Sequence, residues 1–244
     1  MKLQGKVALV TGGAHRIGRG LVLGLAKAGC RLVLHYNRSA EAAERTAQEV
    51  AAHGAQVVTY QADLANPSEV ASLVGASVAG GLGDVQILVN SAAIFPEDSL
   101  LDLSPELWER TMRINLTSPL FLTQAFARAL PETSRGAVIN ITDWRTARPY
   151  TKHFSYTVAK GALDTFTLAA ASELAPRIRV NGIALGAMLP PPHADQSYLA
   201  ELAAQLPLQR AGGVAPVVQA MLYLLQNDFV TGEIVRLNGG AHLT

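Results

Sequence analysis

Cysteine is almost missing from these 244 residues, and Cys30 stands alone. That excludes an internal disulfide framework, which needs pairs. Its place before Arg31-Leu32-Val33-Leu34 reads as that of a small packed residue. Charge is also scarce: 16 % of residues are Asp, Glu, Lys or Arg, and the formal net charge is +1. With neither a basic excess nor an acidic tail, no nucleic-acid surface is expected. No apolar run approaches the ~18 residues of a membrane span, so no membrane association is expected. The early apolar stretch Val7-Ala8-Leu9-Val10 runs into glycines rather than a cleavage site, so no signal peptide is expected either. The expected location is cytoplasmic. No linker, repeat or low-complexity tract is visible, and no metal site is expected. What the chain does have is apolar residues, 49 % of it, ample for one buried core.

Short β-branched runs alternate with longer amphipathic ones. Residues 6–10, 31–35, 56–61, 87–90, 136–141, 179–183 and 233–237 read as strands. They are nearly all apolar, as strands covered on both faces are. Helices are expected over 17–28, 40–53, 67–79, 108–129, 156–174 and 214–226. Gly29 and Gly54 fall where helix stops belong, and Asn66-Pro67 and Ser104-Pro105 where starts do. This alternation predicts one α/β domain: a Rossmann-type, doubly wound, seven-stranded parallel sheet with helices on both faces. Residues 1–135 would form its cofactor half, and 136–244 its catalytic and lid half. Pro190-Pro191-Pro192 interrupts residues 185–198 and fits neither helix interior nor central strand. The segment reads as a surface loop or as a substrate lid before a short helix over 196–205. Its position after a strand of an α/β sheet favours the lid.

The first strand leads into Thr11-Gly12-Gly13-Ala14-His15-Arg16-Ile17-Gly18. A glycine-rich turn there lets a pyrophosphate approach backbone N–H groups at a helix start. Arg16 could pair with a cofactor phosphate or donate to a substrate beside it. The second strand ends in His35-Tyr36-Asn37-Arg38-Ser39, without the acid that would accept from a ribose 2′-hydroxyl. Arg38 and Ser39 offer a cation and a hydroxyl instead. That favours a 2′-phosphate, and so NADPH over NADH.

The richest stretch runs from Asp143 to Lys160, DWRTARPYTKHFSYTVAK. Tyr156 and Lys160 are four apart, which on a helix puts them on one face about 6 Å apart along the axis. An ammonium near a phenol stabilises the phenolate, and such a phenol can pass a proton near neutral pH. Asp143 closes the apolar run before this stretch.

The order and spacing of these motifs resemble the short-chain dehydrogenase/reductase family across nearly the whole chain. The resemblance rests on the glycine turn, Asp63, Asn90-Ser91-Ala92, Asn115, the Tyr156/Lys160 pair, Arg179-Val180-Asn181-Gly182 and Asn238-Gly239-Gly240. Within the family the chain is similar to the pteridine reductases. Arg16 replaces a glycine of the first turn, Asp143 replaces the usual serine thirteen residues before the tyrosine, and Phe95 falls where an aromatic stacks on a pterin. The resemblance implies cofactor contacts at Thr11, Gly12, Arg16, Ile17, Gly18, His35, Asn37, Arg38, Ser39, Asp63, Leu64, Asn90, Ala92, Tyr156, Lys160, Gly186 and Met188. It implies catalytic roles for Asp143, Tyr156, Lys160 and Asn115, the last holding a water chain behind Lys160. Arg16, Phe95, Asp143 and Tyr156 would meet the substrate. A homotetramer is also implied, and two long helices are apolar on more than one stripe, with Phe121, Phe126, Phe166 and Leu168.

Asp143 bears on the choice of substrate. A serine hydroxyl supports the oxyanion that develops on a reduced ketone, whereas an ionised aspartate repels it. Reduction of a ring C=N needs a proton on nitrogen, and a carboxylate can also pair with pterin N–H groups. Reduction of a pterin or related N-heterocycle is therefore the leading expectation. A carbonyl reductase and a non-catalytic NADPH sensor are the alternatives.

Overall fold

The computed structural model describes residues 1–149, 151–190 and 196–243. Seven strands form one parallel sheet in the order β3-β2-β1-β4-β5-β6-β7. They are β1 (Val7–Val10), β2 (Arg31–Tyr36), β3 (Val57–Gln61), β4 (Ile87–Asn90), β5 (Gly136–Asp143), β6 (Ile178–Leu185) and β7 (Ile234–Leu237). The chain winds outward from β1 in one direction and then crosses back to β4 on its other side. Ala8 pairs with both Leu32 and Ile87 at this reversal. The splayed strand ends there open a crevice at the C-terminal edge, where ligands of such sheets bind.

Side-chain alternation along the strands builds a core on each face. Ala8 and Val10 point into a cluster with Leu21, Leu25, Val217, Met221 and Leu224. Val7 and Leu9 point the other way, into a cluster with Val70, Leu73, Leu122 and Phe126. The first face is covered by α1 (Arg16–Lys27), α2 (Ala40–Ala52) and α9 (Ala215–Gln226). The second carries α3 (Pro67–Leu73), α4 (Ala76–Ala79), α5 (Pro105–Met112), α6 (Ser118–Ala129) and α7 (Phe154–Leu174). The strands read as all-apolar because both faces are covered.

Three expected helices differ in detail. The one over 67–79 is two: Gly75 N bonds to Ser72 O, and Val78 N to Gly75 O, so i→i+3 bonds break the α ladder between α3 and α4. The helix expected over 108–129 begins earlier, at Pro105, where the Ser104 hydroxyl accepts from Leu107 N at 3.2 Å. It passes through one π-helical stretch, Arg113–Thr117, before continuing as α6. Such bulges cluster at functional sites, and this one holds Asn115. The helix expected from residue 156 starts two residues earlier, at Phe154. The predicted lid lies partly outside the described residues, in 191–195, but the short helix that follows it is present as α8 (Gln196–Ala204). Phe126 is core, whereas Phe121 and Leu168 are half-exposed.

Candidate active site

A groove of about 620 Å³ runs over the crevice between β1 and β4. It is lined by Gly12, Arg16, Ile17 and Gly18 from the first turn, by His35, Asn37, Arg38 and Ser39 from the end of β2, and by Asp63 and Leu64 after β3. Ala92, Tyr156 and Lys160 close its far end. The two glycines are sterically required. Gly12 has φ +67, and a Cβ there would sit 2.9 Å from Ala92 Cα; a Cβ on Gly18 would reach Gly12 O at 2.0 Å. Without side chains, the turn exposes backbone to the groove. Helix α1 then begins with no acidic residue in its first turn, which leaves its positive end free for an anion. These features fit a dinucleotide pyrophosphate.

Arg16 takes up φ +51, the left-handed region that glycine enters freely and other residues enter at about 1–2 kcal/mol. The sequence comparison with a glycine at this place thus has a backbone reason. Its guanidinium donates to Pro190 O at 2.6 Å, in the segment that follows β6. His35 lines the groove but is buried and spent internally. Its Nε2 bonds to Ala62 O at 3.0 Å, and since a carbonyl only accepts, Nε2 carries the proton. Nδ1 then accepts from Gly12 N at 3.1 Å. Burial lowers the pKa of this imidazole below its usual value. His35 therefore ties the glycine turn to the residue after β3 as a neutral ring, and the cation on the groove lining at this end is Arg38. Ser39 begins α2 without making a side-chain capping bond, and its side chain lines the same end of the groove.

At the other end, β5 runs as far as Asp143, in register with Leu185 of β6. The carboxylate Oδ1 accepts from Arg145 N at 2.8 Å and so caps the 3₁₀ turn Trp144–Ala147. Oδ2 accepts from the Tyr156 hydroxyl at 3.0 Å. Burial raises the Asp143 pKa, opposed by the Arg145 N–H, the Tyr156 hydroxyl and the charges of Lys160 and Arg145. Lys160 is buried. Its Nζ donates to Ile141 O at 2.7 Å and lies 5.9 Å from the centre of the Tyr156 ring. Burial lowers its pKa to about 8, against the pull of the Asp143 carboxylate toward the charged form. Phe95 meets Tyr156 edge-on at 4.6 Å, with an interplanar angle of 86°.

Other expected residues sit beside this groove rather than on its lining. Thr11 Oγ1 accepts from Ser91 N and Ala92 N, at 3.0 and 3.1 Å, and shapes the wall. Asn90 donates to Asn140 Oδ1 at 2.8 Å, within the sheet. Gly186 and Met188 lie on the exit from β6, with Met188 buried. Asn115 is fully buried; its amide donates to Ile94 O and accepts from Ile94 N, both at 2.9 Å. It thus fixes the loop that presents Phe95.

Sequence reasoning missed Arg110, which lines the groove and lies 3.8 Å from Asp63. Nothing in the sequence joins two residues so far apart. It also missed His153, which stacks on Phe95 at 3.7 Å and bonds through Nδ1 to Pro96 O at 2.6 Å. Its spacing of three from Tyr156 was the available signal. Asp98, also missed, is buried and accepts from Ser155 N at 3.1 Å and from the Ser155 hydroxyl. With no side-chain cap from His153, Asp98 caps α7 from a distant loop.

Residues 6–198 match the short chain dehydrogenase family. The chain belongs to that family. Among solved structures it resembles the alternative dihydrofolate reductase 1 (FolM) of Brucella canis complexed with NADP. The two are 38 % identical, with TM-score 0.92, over 100 % of this chain and 97 % of that one. The FolM of Brucella suis, also in complex with NADP, is 38 % identical with TM-score 0.94 over the same shares. A 3-oxoacyl-[acyl-carrier-protein] reductase of Synechocystis is 30 % identical over 98 % of this chain and 97 % of the relative. In this short-chain dehydrogenase, Tyr156 and Lys160 lie one turn apart on α7, with the Asp143 carboxylate against the tyrosine hydroxyl. Among the described residues, no helix is long and apolar enough to cross a membrane.

Proposed function

We propose that this enzyme reduces a pterin or a related N-heterocycle with NADPH, with Tyr156 as proton donor. The observation that carries the reading is the Tyr156 hydroxyl held 3.0 Å from Asp143 Oδ2. The likeness to proteins complexed with NADP supports the cofactor, as do Arg38 and Ser39 on the groove lining and the lack of an acid at the end of β2. The likeness to alternative dihydrofolate reductases supports the substrate class.

Bound in the groove, NADPH would supply the hydride. The backbone of residues 12–18 would hold its pyrophosphate, and Arg38 its 2′-phosphate. Lys160 would hydrogen-bond the nicotinamide ribose and stabilise the tyrosinate left after proton transfer, with Asn115 keeping the water relay behind it in place. Tyr156 would deliver its proton to a ring nitrogen. Each Asp143 oxygen has a second lone pair beyond its present bond, so the carboxylate can also accept from ring and amino N–H groups. Phe95 would offer a stacking surface beside Tyr156, and Arg16, turned from Pro190, a donor.

The reading extends to a cytoplasmic homotetramer. The half-exposed Phe121 of α6 and Leu168 of α7 support pairing of these helices with a second copy.

The test is NADPH oxidation with dihydrobiopterin, dihydrofolate and a 3-oxoacyl thioester side by side. Turnover of the pterins with little of the thioester is expected. Thioester turnover without pterin turnover would sink the proposal in favour of a ketone reductase. Tight NADPH binding with no turnover of any of them would favour a sensor.

A further inference from the structure

Behind the Asp143–Tyr156 pair lies a second carboxyl that the reaction above does not use. Asp164 stands one turn after Lys160 on α7. Its Oδ2 is 2.6 Å from the hydroxyl of Thr146, in the 3₁₀ turn that Asp143 caps. The same Thr146 oxygen is 3.0 Å from the main-chain carbonyl oxygen of Asp143.

A hydroxyl has one proton to donate, and a carbonyl only accepts. If Asp164 were ionised, Thr146 would face two acceptors and could satisfy only one. Both contacts are hydrogen bonds at once when the proton sits on Asp164. Oδ2–H then donates to Thr146 Oγ1, and Thr146 donates to the Asp143 carbonyl. The other oxygen, Oδ1, lies close enough to Thr142 for that hydroxyl to favour the charged form, yet both atoms are buried without a well-formed bond. The cations that act on Asp164, Lys160 on its own helix and Arg236 on β7, do so from beyond ion-pair distance. Burial outweighs them all and raises the carboxyl's pKa above its ordinary 3.8.

We propose that Asp164 is a positioning residue: it carries a proton in the working enzyme and, through Thr146, fixes the turn that presents Asp143 to Tyr156. The inference rests on reading Asp143 and Tyr156 as the proton-transfer pair. The chain of donors gives that turn one geometry, and a small displacement of reacting groups costs much in rate.

The variants are Asp164→Asn, Asp164→Ala and Thr146→Val. An asparagine can still donate to Thr146, so Asp164→Asn should keep kcat with dihydrobiopterin within about threefold, less than the effect of one lost hydrogen bond. Asp164→Ala and Thr146→Val should each lose about tenfold to a hundredfold in kcat with little change in NADPH affinity. The alkaline limb set by Lys160 should not move in Asp164→Asn. An ionised Asp164 would support the Lys160 charge, so its loss would shift that limb to lower pH. A shift of that kind, or an Asp164→Asn as damaged as Asp164→Ala, overturns the proposal. A readout without substrate separates this from the pterin reading. In infrared difference spectra of the wild type at neutral pH, the C=O band of a protonated carboxyl should be present and be lost in Asp164→Asn. Its persistence in Asp164→Asn overturns the assignment even if pterins are turned over. Its loss supports the assignment even if they are not.

Discussion

At the β2 end of the groove the cation, Arg38, stands in solvent, while the one buried titratable group, His35, is neutral and hydrogen-bonded on both nitrogens. At the β5 end the order is reversed: Lys160 is buried and Asp143 largely so, and burial has moved the pKa of each. The difference separates two kinds of work. An exposed cation recognises a phosphate through water-screened attraction and needs no tuning. Groups that exchange protons must be desolvated, because burial and close charges are what move a pKa toward working pH. Substitutions at the first end should therefore change affinity, and those at the second should change turnover and its pH dependence.

The largest effect should come from the buried end. Tyr156→Phe removes the proposed proton donor and should lower kcat about 10²- to 10⁴-fold, with NADPH binding, followed by fluorescence titration, nearly unchanged. Asp143→Ser belongs beside it: pterin turnover should fall, and some ketone turnover should appear. If neither rate changes, the aspartate has no role in substrate choice.

An intermediate effect should come from pH. Lys160 titrates at about 8 in the folded protein. As pH rises through that value the ammonium is lost, and with it the charge that stabilises a tyrosinate. A plot of kcat/KM against pH should bend downward near 8. The sign for stability is opposite. The folded-state pKa lies below the unfolded one, so stability from this group is lower below about 8 and rises from there toward 10.5, the ordinary lysine value. A rate profile flat through pH 9 would break the contrast between the two ends.

The smallest effect belongs to the exposed end. Arg38→Ala should weaken NADPH about tenfold through the loss of a charge-assisted contact and leave NADH almost untouched. Isothermal titration with both cofactors, at low and at high salt, would check it. The wild-type preference for NADPH should shrink as salt rises. A large fall in kcat at saturating NADPH would mean that the two ends are coupled.

Much of the first end was legible in consecutive residues. The glycine turn and the segment from His35 to Ser39 are local, and a turn that must expose backbone selects glycine wherever it occurs. Even there, the cross-link that the His35 ring makes to Gly12 and Ala62 is not visible in consecutive residues, because strand pairing brings its partners together. The second end was legible only in part. Tyr156 and Lys160 follow from helical spacing, and Asp143 from its place at the end of a strand. The roles of Arg110, His153, Asp98 and Asp164 were not legible, because their partners come from other elements or from a fold in the chain.

By itself, the sequence determined the alternation of strands and helices, the cofactor turn, and the residue types able to move a proton. Covalent order and side-chain periodicity carry those. Tertiary structure decided how readily each of these groups takes a charge. It buried Lys160, partly buried Asp143 and Asp164 around the end of β5, and left Arg38 exposed. The energy of a charge depends on its distance from solvent and from other charges, and both distances exist only after the chain has folded.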